Sequence, residues 1–168
     1  MKSNMIHRFS EVPQADIPRS SFNRSHGYKT TFDGGWLVPI LVDEALPGDT
    51  FNLDMQGFAR LATPQVPIMD NLHMETFFFA VPKRLLWDNW QKFNGEQDSP
   101  GDSIDFTIPI INSDAAGYAN ESLHDYLGLP TQIAASYEHN AWWHRAYYLI
   151  WNEWFRDQNL QNSLAFRS

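Results

Sequence analysis

From Trp142 to Phe155 almost every position is apolar: Trp142, Trp143, Ala146, Tyr147, Tyr148, Leu149, Ile150, Trp151, Trp154 and Phe155, with charge only at Arg145 and Glu153, then Arg156 and Asp157 beyond. A helix over about 140–157 that is apolar all round has no face to give to water, so it must be enclosed by protein. The rest of the chain supplies material for that enclosure. Hydrophobic residues make up 43% and aromatic residues 15% of 168 residues, which excludes disorder throughout and predicts an aromatic-rich interior of about one domain.

The first thirty residues differ in character. Residues 1–30 are rich in Ser, Asn, Arg and Pro, with only isolated apolar positions, and are expected to lie extended on something else. They carry five bases (Lys2, Arg8, Arg19, Arg24, Lys29) and two acids, whereas the remainder carries seven and eighteen, so the net charge of −8 conceals a basic arm ahead of an acidic body. Such an arm can neutralise phosphates, and those five bases are the candidate phosphate contacts; a solvated terminus with scattered charge is the plainer alternative.

Beyond the arm, residues 31–168 read as turn-punctuated strands followed by helices. Asp33-Gly34-Gly35 and Leu46-Pro47-Gly48-Asp49 are turns, the second with the composition of type II. Residues 36–42 read as a strand interrupted by Pro39, and the alternation of Phe51, Leu53 and Met55 with polar neighbours as a half-buried strand ending in a bulge or bend at Gly57. Residues 74–81, with three consecutive Phe, suit a strand covered on both faces. Helical spacing of Leu85, Leu86, Asn89, Trp90 and Phe93 predicts one short helix stopped by Gly95, and residues 106–111 a brief edge strand around Pro109. A helix over 122–127 is expected to be capped by Asn120 and ended by Gly128 and Pro130.

Catalytic and metal-binding patterns are missing from the sequence. There is no cysteine, hence no disulfide, thiolate site or Cys nucleophile. The six histidines are scattered, and His139 and His144 are five apart rather than the four that places two imidazoles on one helical face, so neither a metal nor a cofactor is expected. No nucleophile elbow, phosphate loop or dinucleotide fingerprint occurs. Asp43-Glu44 and the pair Asp98 and Asp102 offer carboxylates for glycoside hydrolysis, but in turn-like segments where solvated surface is the simpler reading. Trp87 and Trp90 could stack on a sugar if exposed, which leaves a carbohydrate-binding sandwich as a rival; at helical spacing, Trp87, Trp90, Trp142, Trp143, Trp151 and Trp154 are better read as core or subunit-interface aromatics. No apolar run reaches the ~18 residues of a membrane span, no secretory leader is visible, and the chain reads as cytosolic with no membrane partner.

Several longer motifs carry a resemblance. They are Arg19-Ser20-Ser21-Phe22, His26-Gly27-Tyr28-Lys29-Thr30-Thr31-Phe32, Gly34-Gly35-Trp36-Leu37-Val38-Pro39 and Glu44-Ala45-Leu46-Pro47-Gly48-Asp49-Thr50-Phe51. Met69-Asp70-Asn71, Phe77-Phe78-Phe79-Ala80-Val81-Pro82-Lys83-Arg84-Leu85-Leu86-Trp87 and Tyr148-Leu149-Ile150-Trp151-Asn152-Glu153-Trp154-Phe155-Arg156-Asp157-Gln158-Asn159-Leu160 continue it. On these residues the chain resembles the N-terminal portion of the major capsid proteins of microviruses, in particular the gokushovirus branch.

The resemblance implies a mainly β fold, the viral jelly-roll β-sandwich with helical insertions, in which residues about 120–160 form the first helical insertion. Members of that family are several hundred residues long, so the sandwich is expected to be incomplete in this chain. The resemblance further implies a structural protein and no enzyme: sixty copies assembling a T=1 icosahedral shell around single-stranded DNA, beside other phage structural proteins, first in the host cytoplasm and then in the virion.

Overall fold

The computed structural model describes residues 16–166. Its regular elements all lie after residue 82: α1 (Lys83–Leu86), α2 (Trp90–Phe93), β1 (Ile110–Asn112), α3 (Leu123–Tyr126), β2 (Glu138–Asn140), α4 (Trp142–Ile150) and a π-helical turn over Trp151–Phe155.

The single ladder among the described residues is the antiparallel pair β1–β2, with Ile110 opposite Asn140, Ile111 opposite His139 and Asn112 opposite Glu138. Ala141 N–H donating to Pro109 O and Ser113 N–H to Tyr137 O, both at 2.9 Å, extend it by a residue at each end. The pair closes the neck of an excursion that contains α3. Ser113, buried at the neck, accepts from Tyr137 N–H through its hydroxyl at 3.0 Å, and Ser136 Oγ donates to its carbonyl at 2.7 Å.

Local chemistry explains how each helical piece starts and stops. Ser122 caps α3, its hydroxyl accepting from Asp125 N–H, and Gly128 ends it with φ 81°. Gly128 N–H donates to Asp125 O and Leu129 N–H to His124 O, the paired bonds of a Schellman stop. The expected cap at Asn120 is therefore corrected to Ser122, which has the extended backbone a cap requires, with φ −88° and ψ 165°. Helix α4 begins two residues later than its apolar pattern suggests, because Asn140 ends β2 and its amide oxygen accepts from Trp142 N–H at 3.3 Å. After Ile150 the helix widens, Arg156 N–H bonding back five residues to Trp151 O at 2.8 Å. Asn152, buried inside this wide turn, pairs with both backbone groups of Leu164, donating to its carbonyl at 2.8 Å and accepting from its N–H at 2.9 Å.

The single helix expected over 85–93 is two separate turns. Asp88 and Asn89, whose side chains compete with helical backbone bonding, stand between them, and Trp87 is extended with φ −153° and ψ 122°. The carbonyl of Leu86 accepts instead from the Arg145 guanidinium of α4, at 3.0 Å. Gly95, with φ 95°, stops α2 as its position suggests.

The core sits where α1 meets α4. Leu86, Trp87 and Trp142 are buried there, with Trp90, Phe106 and Leu149 packed against them. The Trp142 indole meets Trp87 and Trp90 edge-on, with ring centres 5.9 and 5.7 Å apart, the arrangement ring quadrupoles favour. Lys83 Nζ lies 5.3 Å from the Trp142 ring and 5.5 Å from Trp90, roofing the cluster with a cation.

Four strand expectations are corrected. Residues 36–42, 51–55 and 74–81 carry no ladder, and residues 106–111 yield strand only from Ile110 onward. Alternation records which side chains share a face, but a strand exists only where a neighbouring backbone takes its hydrogen bonds, and none of the described residues does so for these segments. Without a strand there is no bulge at Gly57. The Leu46–Asp49 turn does form, closed by Asp49 N–H to Leu46 O at 3.1 Å with Gly48 at φ 88°.

Residues 16–82 are instead held by side chains reaching out from the helical body. Tyr126 Oη donates to Thr31 O at 2.9 Å, Tyr147 Oη donates to Leu37 O at 2.8 Å, and Lys83 pairs with Glu44 at 2.9 Å. Enclosure of α4 is partial: Trp142 and His144 are buried, but most other positions on it are only half-buried.

Candidate interaction surfaces

No deep catalytic cleft organises the described residues; their distinctive feature is apolar surface left open to solvent. Large hydrophobic side chains from Ile17 through Phe22, Trp36, Leu53 and Phe58 to Phe78 are exposed, Phe58 at 92%. Aromatic rings gather at one end of this surface. Phe77 meets Phe155 edge-on at 5.5 Å, and Phe79 lies 5.7 Å from Trp154, whose indole is itself 72% exposed. Single exposed apolar residues are ordinary, but so many large ones along one stretch of chain mark surface available for contact.

The six tryptophans singled out from sequence fall into three grades of burial. Trp87 and Trp142 are core, Trp90, Trp143 and Trp151 are half-buried, and Trp154 faces solvent. Burial of Trp87 removes the sugar-stacking platform of Trp87 and Trp90, because a platform needs both ring faces within reach of a ligand. The carboxylate pairs are also otherwise engaged. Asp43 pairs with Arg24 at 2.7 Å and Glu44 with Lys83, while Asp102 accepts from the N–H groups of Asp98 and Ser99 at 3.0 Å within a turn.

Of the basic arm, Lys2 and Arg8 lie outside the described residues. Arg19 donates to Gly48 O at 3.0 Å, Arg24 is paired with Asp43, and Lys29 is exposed. Both arginines thus tack the arm onto the turn at 43–49. Their side chains remain largely in solvent, where an ion pair contributes little and can be exchanged for another anion.

Sequence spacing missed a cluster that tertiary structure assembles. His124 of α3, His139 of β2 and His144 of α4 converge with Tyr118. His124 Nδ1 lies 2.7 Å from His144 Nε2, Tyr118 Oη lies 2.7 Å from His139 Nε2, and the Tyr118 ring stacks on His124 at 3.7 Å. Burial, then the neighbouring histidines His124 and His139, lower His144 from 6.5 to about 4; burial and then His139 lower His124, against an opposing pull from Asp114. Among the described residues no three His, Cys, Asp or Glu side chains are arranged to hold a metal ion. No local signal announces the cluster, because it depends on the β1–β2 register that brings residue 139 beside 124.

Comparison with known proteins places this surface in context. The family described as capsid protein (F protein) matches residues 10–168. The chain is 52% identical over 159 residues to capsid protein VP1 of Bdellovibrio phage phiMH2K, covering 95% of this chain and 30% of that protein. It is 52% identical over 170 residues to capsid protein VP1 of Chlamydia phage 1, covering 98% and 28%, and 33% identical over 161 residues to capsid protein VP1 of Spiroplasma virus 4, covering 95% and 29%. It therefore spans under a third of the length of these relatives. A match running through residues 10–168, from the open apolar surface to α4 and beyond, leaves one assignment: the chain belongs to the phage capsid protein (F protein) family.

Proposed function

We propose that this chain is wall-forming material of a major capsid protein, contributing to the shell of a small single-stranded DNA bacteriophage. The observation that carries the reading is the open run of large apolar side chains between Ile17 and Phe78, in a chain whose relatives are named capsid protein VP1. A surface of this kind is costly in water and gains stability when later segments of a longer chain or sister subunits cover it, and closed symmetry lets every copy bury the same patch.

In this reading residues 31–168 belong to a viral jelly roll, with the segment at about 120–160 as its first helical insertion, and sixty copies close a T=1 shell. Residues 1–30 form the arm, with Lys2, Arg8, Arg19, Arg24 and Lys29 facing the packaged DNA. Half-buried Trp90, Trp143 and Trp151 and exposed Trp154 sit at or near subunit contacts, and other phage structural proteins join the particle. Assembly proceeds in the host cytoplasm and the product is the virion. The role is structural, with catalysis absent from the reading.

Particles purified from cells making this protein are expected to contain peptides from residues 16–166 together with single-stranded DNA. The triple variant Arg19→Ala, Arg24→Ala, Lys29→Ala is expected to retain less DNA per particle, measured as the ratio of nucleic-acid to protein absorbance, and to lose it at lower salt. Particles lacking those peptides would remove the capsid role, and unchanged DNA content would remove the role of the arm.

A further inference from the structure

We propose that Tyr118, His124, His139 and His144 form an acid-sensitive latch, which holds α3, β2 and α4 together at neutral pH and releases them when the His124–His144 pair takes up a proton. The proposal rests on the geometry of these side chains and is independent of the capsid reading.

Hydrogen-bond directions follow from which atoms can accept. His139 Nδ1 faces the Asn140 carbonyl at 3.0 Å, and a carbonyl only accepts, so Nδ1 carries the hydrogen. Neutral His139 therefore presents an unprotonated Nε2, which accepts from Tyr118 Oη at 2.7 Å. Between His124 Nδ1 and His144 Nε2, also 2.7 Å apart, there is room for one hydrogen. His144 is 1% exposed and its Nδ1 is buried without a hydrogen-bond partner. The least costly arrangement puts the hydrogen on His144 Nε2, leaving Nδ1 as a bare lone pair, since a buried N–H with no acceptor is the worse defect.

One further proton on the His124–His144 pair defeats this arrangement. Placed on His124 Nδ1, it forces His144 to accept at Nε2 and carry its own hydrogen on Nδ1, inside protein and facing no acceptor. On His144 Nδ1 it creates the same orphaned donor, now with a full charge.

The surroundings offer little compensation. The groups facing the network are Asp114 and Tyr118 from the segment after β1, Tyr137 beside β2, and Tyr148 on α4. Asp114 favours a charge on His124, but burial and His139 outweigh it. Asp125, on α3, turns to the Glu121 N–H, and Arg145, on α4, reaches the Leu86 carbonyl.

The sign of the pH dependence follows. An opened segment binds protons at the ordinary 6.5, whereas His144 in the closed cluster resists them until about 4. The opened form therefore holds more protons across that window, so closure is fully favoured above it and is lost progressively as pH falls through it.

The test is hydrogen exchange of the amides of residues 118–150 in the full chain, corrected for intrinsic rates, across the window from 6.5 to about 4. Opening should increase by up to about tenfold per pH unit for each proton the closed form excludes. His144→Phe, which keeps a ring but cannot titrate, should show a shallower slope. Imidazole nitrogen NMR of the unaltered chain decides the matter even if that variant fails to fold: the hydrogen should sit on Nδ1 of His139 and Nε2 of His144, with His144 titrating well below 6.5. Exchange that ignores pH, an unchanged slope in His144→Phe, or a His144 ring titrating at its ordinary value would each overturn the latch.

Discussion

Replacing Gly117 with alanine should destabilise the excursion between β1 and β2 by about 2–5 kcal/mol, the sum of left-handed backbone strain and an unrelieved clash. Gly117 sits at φ 71°, a conformation costly for any residue with a Cβ. An added Cβ would also stand 2.5 Å from Ile133 O and 2.7 Å from Ile133 N. Both are backbone atoms, so no side-chain rotation relieves the contact. The strain falls on the neighbouring link, where Tyr118 bridges to Thr131 and accepts from Gln132 N–H at 2.9 Å. Loss of exchange protection at the Gln132 amide, with a lowered thermal midpoint, is the expected signature. Unchanged protection would mean that the two segments are not in contact.

Truncating Trp142 to alanine should cost about 3–5 kcal/mol, the range for removing a buried aromatic side chain. The indole is only 5% exposed and fills the space between Trp87 and Trp90 beneath Lys83. The Trp87 ring is kept from collapsing into the void while α1 stays anchored to α4 through Arg145 and Leu86. Trp154→Ala supplies the contrast. Its indole faces solvent, so the cost to the isolated fold should be under about 0.5 kcal/mol, whereas association between copies should weaken. Thermal unfolding separates the two variants, and equal losses would mean that core and surface have been assigned wrongly.

What could be read from sequence was whatever the chain encodes locally. Gly48, Gly95 and Gly128 mark turns and helix stops because positive φ is cheap only there, and each does so in the structure. The apolar run from Trp142 likewise yields α4, and its tryptophans supply much of the core. Features set by distant partners were hidden. The segments around Leu37, Leu53 and Phe78 alternate or cluster like strands, yet a ladder needs a second backbone, and nothing in those residues names one. The break at Asp88-Asn89 was masked by apolar spacing that both a continuous and a broken helix satisfy. His124 and His144 looked unrelated at a separation of twenty, and the pairing of Arg24 with Asp43 is equally invisible in a charge count.

These surfaces also explain why an acidic chain carries so much apolar area without folding it inward. The tyrosine anchors at Thr31 and Leu37 hold residues 16–82 against the helical body at a few points, leaving the faces of Phe58, Phe77 and Trp154 outward. On the proposed reading, further segments of a full-length subunit or sister subunits cover those faces.

Sedimentation velocity of the chain across the micromolar range, at near-neutral pH, tests that claim most directly. Self-association that strengthens with concentration and shields Trp154 from a fluorescence quencher is the expected result. A compact monomer at every concentration, with Trp154 still open to the quencher, would contradict it.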